Sequence, residues 1–178
     1  MTRLKEIYIK NVIPKLKEEF NFKNIHAVPS IKKIVINIGA GEALANKKLK
    51  EELVKDISLI VGQRPILTKS KKAISGFKIR QGQDIGLKIT LHGDRMYDFL
   101  DKIINIALPR TRDFQGVLKS FDKNGNLSIG FKEYVVFPEA SEETEKTYGI
   151  EVTICTSTKK DKEAQKLLEF LGMPFKQD

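Results

Sequence analysis

The sequence predicts an α+β fold over residues 1–178, one domain with an antiparallel or mixed sheet, helices packed on one face and the other face open. Three observations carry this. Ile85, Leu87, Ile89 and Leu91 alternate without a break against Gly86, Lys88, Thr90 and His92, the period of two that sends successive side chains to opposite faces of a strand. Ile34, Ile36 and Ile38 alternate in the same way against Lys33, Val35 and Asn37. Asn124-Gly125 is a strong short-range hairpin signal, with strand-forming residues on both sides. One apolar face per strand, with a hairpin, fits antiparallel pairing better than the continuous apolar runs of a parallel sheet.

The elements follow in order. Leu4, Ile7, Val12, Leu16 and Phe20 recur near helical spacing, so the first twenty residues read as an amphipathic helix that Pro14 must kink or restart. The Ile34–Ile38 strand ends at the turn Gly39-Ala40-Gly41. Leu49, Leu53, Ile57, Ile60 and Val61 then mark a helix stopped by Gly62. After the Ile85–Leu91 strand, a helix over Asp94 to Ala107 packs Met96, Phe99, Leu100, Ile103 and Ile104 and is closed by Pro109. Arg110 to Gly116 is a polar loop, and the apolar run Tyr134–Phe137 leads into an acidic loop, Glu139 to Glu145. Tyr148, Ile150, Val152 and Ile154 alternate as a last strand, and Ala164, Leu167, Leu168 and Leu171 form a final helix stopped by Gly172 and Pro174.

Charge is distributed unevenly. Residues 1–82 hold eighteen Lys/Arg against seven Asp/Glu, a net of +11, while residues 83–178 hold fourteen against sixteen, a net of −2. Between Asp56 and Asp84 there is no carboxylate, yet Arg64, Lys69, Lys71, Lys72, Lys78 and Arg80 fall there. Such a bias speaks about partners: nucleic acid first, anionic membrane second. The interval ends in SGFKIRQG, Ser75 to Gly82, a loop that offers cations, backbone donors and one stacking ring, Phe77. Membrane binding is disfavoured, because no long basic amphipathic helix with an aromatic face is present and no apolar run approaches the ~18 residues of a span. The N-terminal stretch has no apolar signal region and Cys155 is the only cysteine, so a soluble, unexported, cytoplasmic protein is expected.

Catalytic readings are weak. The Gly-Ala-Gly turn resembles a dinucleotide fingerprint, but Leu44 stands where the third glycine belongs and no second strand-helix-strand unit follows. His26, His92 and Cys155 are the only nitrogen and sulfur donors for a metal and do not cluster. Cys155 reads as a small packed residue on the last strand, and Glu139–Glu145 lacks the spacing of a calcium loop. No enzyme activity, metal or cofactor is expected.

Five stretches in order carry a resemblance: Val28–Ala43 (VPSIKKIVINIGAGEA), Gly62–Gly82 (GQRPILTKSKKAISGFKIRQG), Ile85–Leu100 (IGLKITLHGDRMYDFL), Leu108–Gly116 (LPRTRDFQG) and Phe121–Glu139 (FDKNGNLSIGFKEYVVFPE). Together they are similar to the bacterial form of the large-subunit ribosomal protein that binds 5S ribosomal RNA. The resemblance implies a non-enzymatic component of the central protuberance of the large subunit, with 5S rRNA, large-subunit rRNA and neighbouring large-subunit proteins as partners. It implies 5S rRNA contacts at Asn37, Gly39, Gln63, Thr68, Lys69, Ser70, Lys88, Thr90 and His92. It also implies a mobile loop that reaches the transfer RNA of the peptidyl site through Lys71, Lys72, Ser75, Gly76, Phe77, Lys78 and Arg80. A bridge to a protein of the small-subunit head is implied at Arg110, Arg112, Asp113, Glu139, Glu142 and Glu143. His92 and Gln115 stand where arginine is frequent in relatives, and Asp84 places a negative charge beside the loop.

Overall fold

The structure is a computed structural model and describes residues 2–77, 79–112, 114–140 and 148–176. Its elements in chain order are α1 (Arg3–Ile7), α2 (Ile13–Glu19), β1 (Ile31–Gly39), α3 (Gly41–Ala45), α4 (Lys47–Val61), β2 (Ile66–Lys69), β3 (Asp84–Leu91), α5 (Gly93–Lys102), α6 (Leu108–Arg110), β4 (Leu127–Phe131), β5 (Ile150–Thr156) and α7 (Asp161–Phe170). The strands form one sheet in the order β2-β3-β1-β5-β4. β2 pairs with β3 antiparallel, Ile66 opposite Lys88 and Thr68 opposite Gly86, with an irregularity at Thr68/Lys69. The sheet is antiparallel, and contacts tie its other strands together: Ala40 N bonds Ile85 O, Ser157 N bonds Ser30 O, and Ser128 Oγ meets Thr153 Oγ1 at 2.8 Å. The α+β expectation holds, with an antiparallel sheet.

The sheet obeys its sequence period. Ile34, Ile36, Ile38, Leu87, Ile89 and Leu91 are at most 1% exposed, whereas Lys33, Asn37 and Lys88 are exposed. Each buried aliphatic side chain of this kind stabilises the fold by roughly 1.5–3 kcal/mol, so a one-residue slip of register, which exchanges the faces, is strongly opposed.

By contact the chain forms two compact units, each with its own packing. The first comprises residues 1–35, 91–129 and 152–178. In it α1 lies along α5: Arg3 bonds Asp101, Lys5 bonds Asp94, and the Tyr8 and Tyr97 rings sit 6.0 Å apart. Burial of Tyr97 pushes its hydroxyl pKa up to about 12. Pro109, expected to close a helix, is carried through it, while Pro14 stands in the first turn of α2, where the helix restarts as expected. A π-helical turn over Tyr8–Val12 precedes Pro14, and another over Ile103–Ala107 precedes Pro109. The wider turn moves the carbonyl four residues back, which the proline ring would otherwise strike and which no proline N–H could satisfy. The helix beginning at Gly93 therefore continues to Arg110 instead of closing at Ala107.

The second unit comprises residues 36–90 and 130–151. α4 starts at Asn46, whose Oδ1 accepts from Lys48 N at 3.0 Å, and ends at Gly62 with φ 71°. Its Leu53, Ile57, Ile60 and Val61 are buried, and Tyr134 Oη lies 3.5 Å from the buried Asp56 carboxylate. Tyr134–Val136 forms a 3-10 turn, and the Phe131 and Phe137 rings meet edge to face at 5.8 Å.

The hairpin expectation needs correction. Before β4 the pairing is limited to an isolated antiparallel bridge, Phe121 to Leu127, and one main-chain bond, Asp122 N to Asn126 O at 3.1 Å. Asp122 Oδ1 accepts from the backbone N–H groups of Asn124 and Asn126 at 2.9 and 3.0 Å. A side-chain carboxylate thus takes the amides that a two-residue hairpin would leave to the partner strand.

Candidate nucleic-acid interface

Within the second unit, three strands supply an open face. On β1, Asn37 and Gly39 are exposed; on β3, Lys88 is exposed and Thr90 half-buried; on β2, Ile66 is 70% exposed and Thr68 half-buried. Gly86 permits this arrangement at its middle. A Cβ there would lie 2.8 Å from both Ile38 O and Thr68 Oγ1, so any side chain would push the strands or the threonine aside. The result is a surface of ammonium, amide and hydroxyl groups on a rigid backbone. Lysine neutralises phosphate, while amides and hydroxyls exchange hydrogen bonds with 2′-hydroxyls and base edges.

Not every residue expected on this face points its polar group outward. Gln63 Nε2 donates to Thr90 O at 3.2 Å, which ties the turn after α4 to β3. Ser70 is 8% exposed, and its Oγ donates to Lys72 O. Lys69 is exposed at the end of β2. His92 belongs to the first unit, where it precedes α5 and its Nδ1–H donates to Lys32 O at 3.2 Å.

Residues 70–83 form a finger closed at its root by main-chain bonds. Ser70 N donates to Gln83 O at 2.8 Å and Gly82 N to Ser70 O at 2.9 Å. Higher up, Ile74 and Ile79 exchange bonds of 2.9 and 3.1 Å, and Ser75–Phe77 makes a 3-10 turn at the tip. Lys71, Lys72, Ser75, Gly76 and Arg80 are exposed, and Phe77 is 77% exposed. An aromatic ring so placed stabilises nothing inside the chain and offers both faces to a base. Lys78 lies outside the described residues.

Asp84 does not leave a bare negative charge beside the finger. Lys50 Nζ stands 2.6 Å from its carboxylate, and both side chains are largely covered. Of the residues assigned to a bridge, Arg110, Arg112 and Glu139 are exposed, while Asp113, Glu142 and Glu143 lie outside the described residues. Among the described residues there is no group of three or more His, Cys, Asp or Glu fit for a metal, and no helix is long and apolar enough to cross a membrane.

Sequence reasoning named Lys33 and Gly86 in the strand alternation without giving them a role, and passed over Ile66. Lys33 shares the exposed parity of Asn37 along β1, a signal present in the alternation itself. Ile66 and Gly86 become relevant only once β2 pairs with β3, and the sequence marks β2 with only four residues.

An α+β scaffold that aims lysine, amide and hydroxyl groups outward beside a cationic finger has the surface chemistry that suits a polyanion. Comparison with known proteins gives the family. Residues 24–80 match the family model of ribosomal protein L5, and residues 84–175 match the model of that ribosomal family's C-terminus. The large ribosomal subunit protein uL5 of Carboxydothermus hydrogenoformans is 53% identical over 177 residues, 98% of this chain and 99% of the relative. That of Thermoanaerobacter sp. (strain X514) is 52% identical with the same coverage. The longer uL5c of Arabidopsis thaliana is 54% identical over 98% of this chain and 68% of its own length. The chain belongs to the uL5 family of large ribosomal subunit proteins. It is accordingly a structural, non-enzymatic constituent of the large subunit, with ribosomal RNA and other ribosomal proteins as partners; in bacteria that subunit is cytoplasmic.

Proposed function

We propose that this protein binds 5S rRNA through the open face of β1, β2 and β3 and helps attach it to the large subunit in the central protuberance. The finger contacts peptidyl-site tRNA. Arg110, Arg112 and the acidic stretch after Phe137 meet a protein of the small-subunit head. The observation that carries this reading is the open face itself, where Asn37, Thr68, Lys88 and Thr90 stand on paired strands next to a cationic segment free of carboxylates from Ile57 to Gln83. Shape on the strands supplies specificity, and charge supplies affinity.

The test is a filter-binding titration against 5S rRNA and a shuffled RNA of equal length at low and physiological salt. Preference for 5S rRNA that persists at physiological salt supports the reading; if about five phosphates are neutralised, log affinity falls with log salt at a slope near −4. Equal binding to both RNAs, fading together with salt, reduces the face to a basic surface without 5S specificity.

A further inference from the structure

A groove of about 690 Å³ lies at the root of the finger, and its lining includes Lys69, Arg80, Gly82, Gln83 and Asp84. Its volume falls in the range of about 300–1,000 Å³ typical of sites that hold a small ligand group. Two cationic residues line it from opposite ends of the finger: Lys69 leaves β2 as the finger begins, and Arg80 returns as it ends. Gln83 organises both. Its side-chain Oε1 accepts from Arg80 N at 3.0 Å, its N–H donates to Arg80 O at 3.2 Å, and its carbonyl accepts from Ser70 N, next to Lys69, at 2.8 Å.

The balance of charge favours an anion. Among the described residues, Asp84 is the only carboxylate that lines the groove, and it is committed to Lys50 at 2.6 Å. Among the described residues, neither Lys69 nor Arg80 has an ion-pair partner. Backbones fixed at the root hold two unpaired cations at one opening, so little ordering remains to be done when an anion arrives.

We infer that Lys69 and Arg80 form one phosphodiester-binding site, which grips a single backbone phosphate of one RNA, instead of serving 5S rRNA and tRNA separately. This deepens the RNA-binding reading and rests on it. The guanidinium suits two oxygens of the phosphate and the ammonium adds a point charge. An RNA seated there fixes the finger at its root and leaves Phe77 to meet whatever lies beyond.

The experiment measures the affinities of the wild type, Lys69→Ala, Arg80→Ala and the double variant for 5S rRNA, for a tRNA transcript and for an unrelated RNA of equal length. Expected is that both single variants weaken binding of the same RNA, each roughly five- to tenfold, with the double variant little worse than either. The salt slope falls by about 0.7–0.9 in total, the share of one phosphate, and not by twice that. Losses that add, losses divided between two RNAs, or no loss at all would overturn the shared site. If the wild type binds all three RNAs alike, the 5S reading fails, while coupling of Lys69 to Arg80 on that common binding still decides for or against the groove.

Discussion

Two excursions from the sheet are built in opposite ways. The finger is held by its own main chain, with pairs at Ser70/Gln83 and Ile74/Ile79, and Lys71, Lys72, Ser75, Gly76, Phe77 and Arg80 stay exposed. The turn at Asp122–Asn126 has one main-chain bond, Asp122 N to Asn126 O at 3.1 Å, and is otherwise held by side chains. Asp122 takes three bonds, from Asn124 N, Asn126 N and Asn126 Nδ2, Asp161 Oδ1 accepts from Gly125 N at 3.1 Å, and Thr156 Oγ1 donates to Gly125 O at 2.8 Å. A loop that closes through its backbone keeps its side chains for a partner. One that closes through side chains has spent them on the fold.

The largest test of this contrast sets two glycines against each other. Gly125 has φ 74°, and a Cβ there would strike Thr158 O and stand 3.0 Å from Thr156 Oγ1, whereas Gly76 at the fingertip has nothing within 4 Å. Gly125→Ala is expected to cost roughly 2–4 kcal/mol of unfolding free energy and Gly76→Ala less than about 0.5. Chemical denaturation gives both values, and similar costs at the two sites would dissolve the comparison. Next comes Phe77→Ala. Stability should hold within about 0.5 kcal/mol, since the ring packs against nothing, while affinity for the RNA at the fingertip should drop by roughly 1–3 kcal/mol if a base stacks there. A large loss of stability with no change in binding would make Phe77 a folding residue instead.

What the sequence disclosed followed the same division. Elements governed by periodicity were legible: β1, α4, β3, α5 and α7 sit where alternation or helical spacing placed them. Elements governed by one non-periodic bond were not. Pro109 signalled a break, but a single π turn before it carries the helix on, whereas Pro14 sits in the first turn of α2, the restart expected of it. Asn124-Gly125 signalled a hairpin, but Asp122 outcompeted strand pairing. At the interface, Asn37, Lys88 and Thr90 were readable because parity fixes the side of a strand. Ser70 was not, because nothing in its neighbours' identities tells that its hydroxyl turns in to Lys72 O.

Ser70 therefore gives a smaller test at the finger root. Ser70→Ala removes the donor that Lys72 O accepts from, and is expected to cost about 1 kcal/mol. Because the main-chain pairs remain, faster amide exchange at Ile74 and Ile79 should accompany it, with the first unit unaffected. Unchanged exchange in the finger would mean that the backbone pairs alone suffice, which sharpens the contrast rather than blurring it.

The smallest effect is one of pH. The side-chain amide of Asn126, then its backbone N–H, hold the Asp122 carboxyl below its ordinary value of 3.8. A depressed folded-state pKa means that the unfolded chain binds protons first. The stabilising contribution is thus complete above the unfolded value and is lost as pH falls through the lower, folded one. Stability of the wild type minus that of Asp122→Ala should therefore be constant at neutral pH and shrink as pH falls below about 4. The finger has no carboxylate of its own, so the deficit of Ser70→Ala carries no such window from within its loop. A constant Asp122→Ala gap across that range would show that the turn is held by its backbone after all, as the finger is.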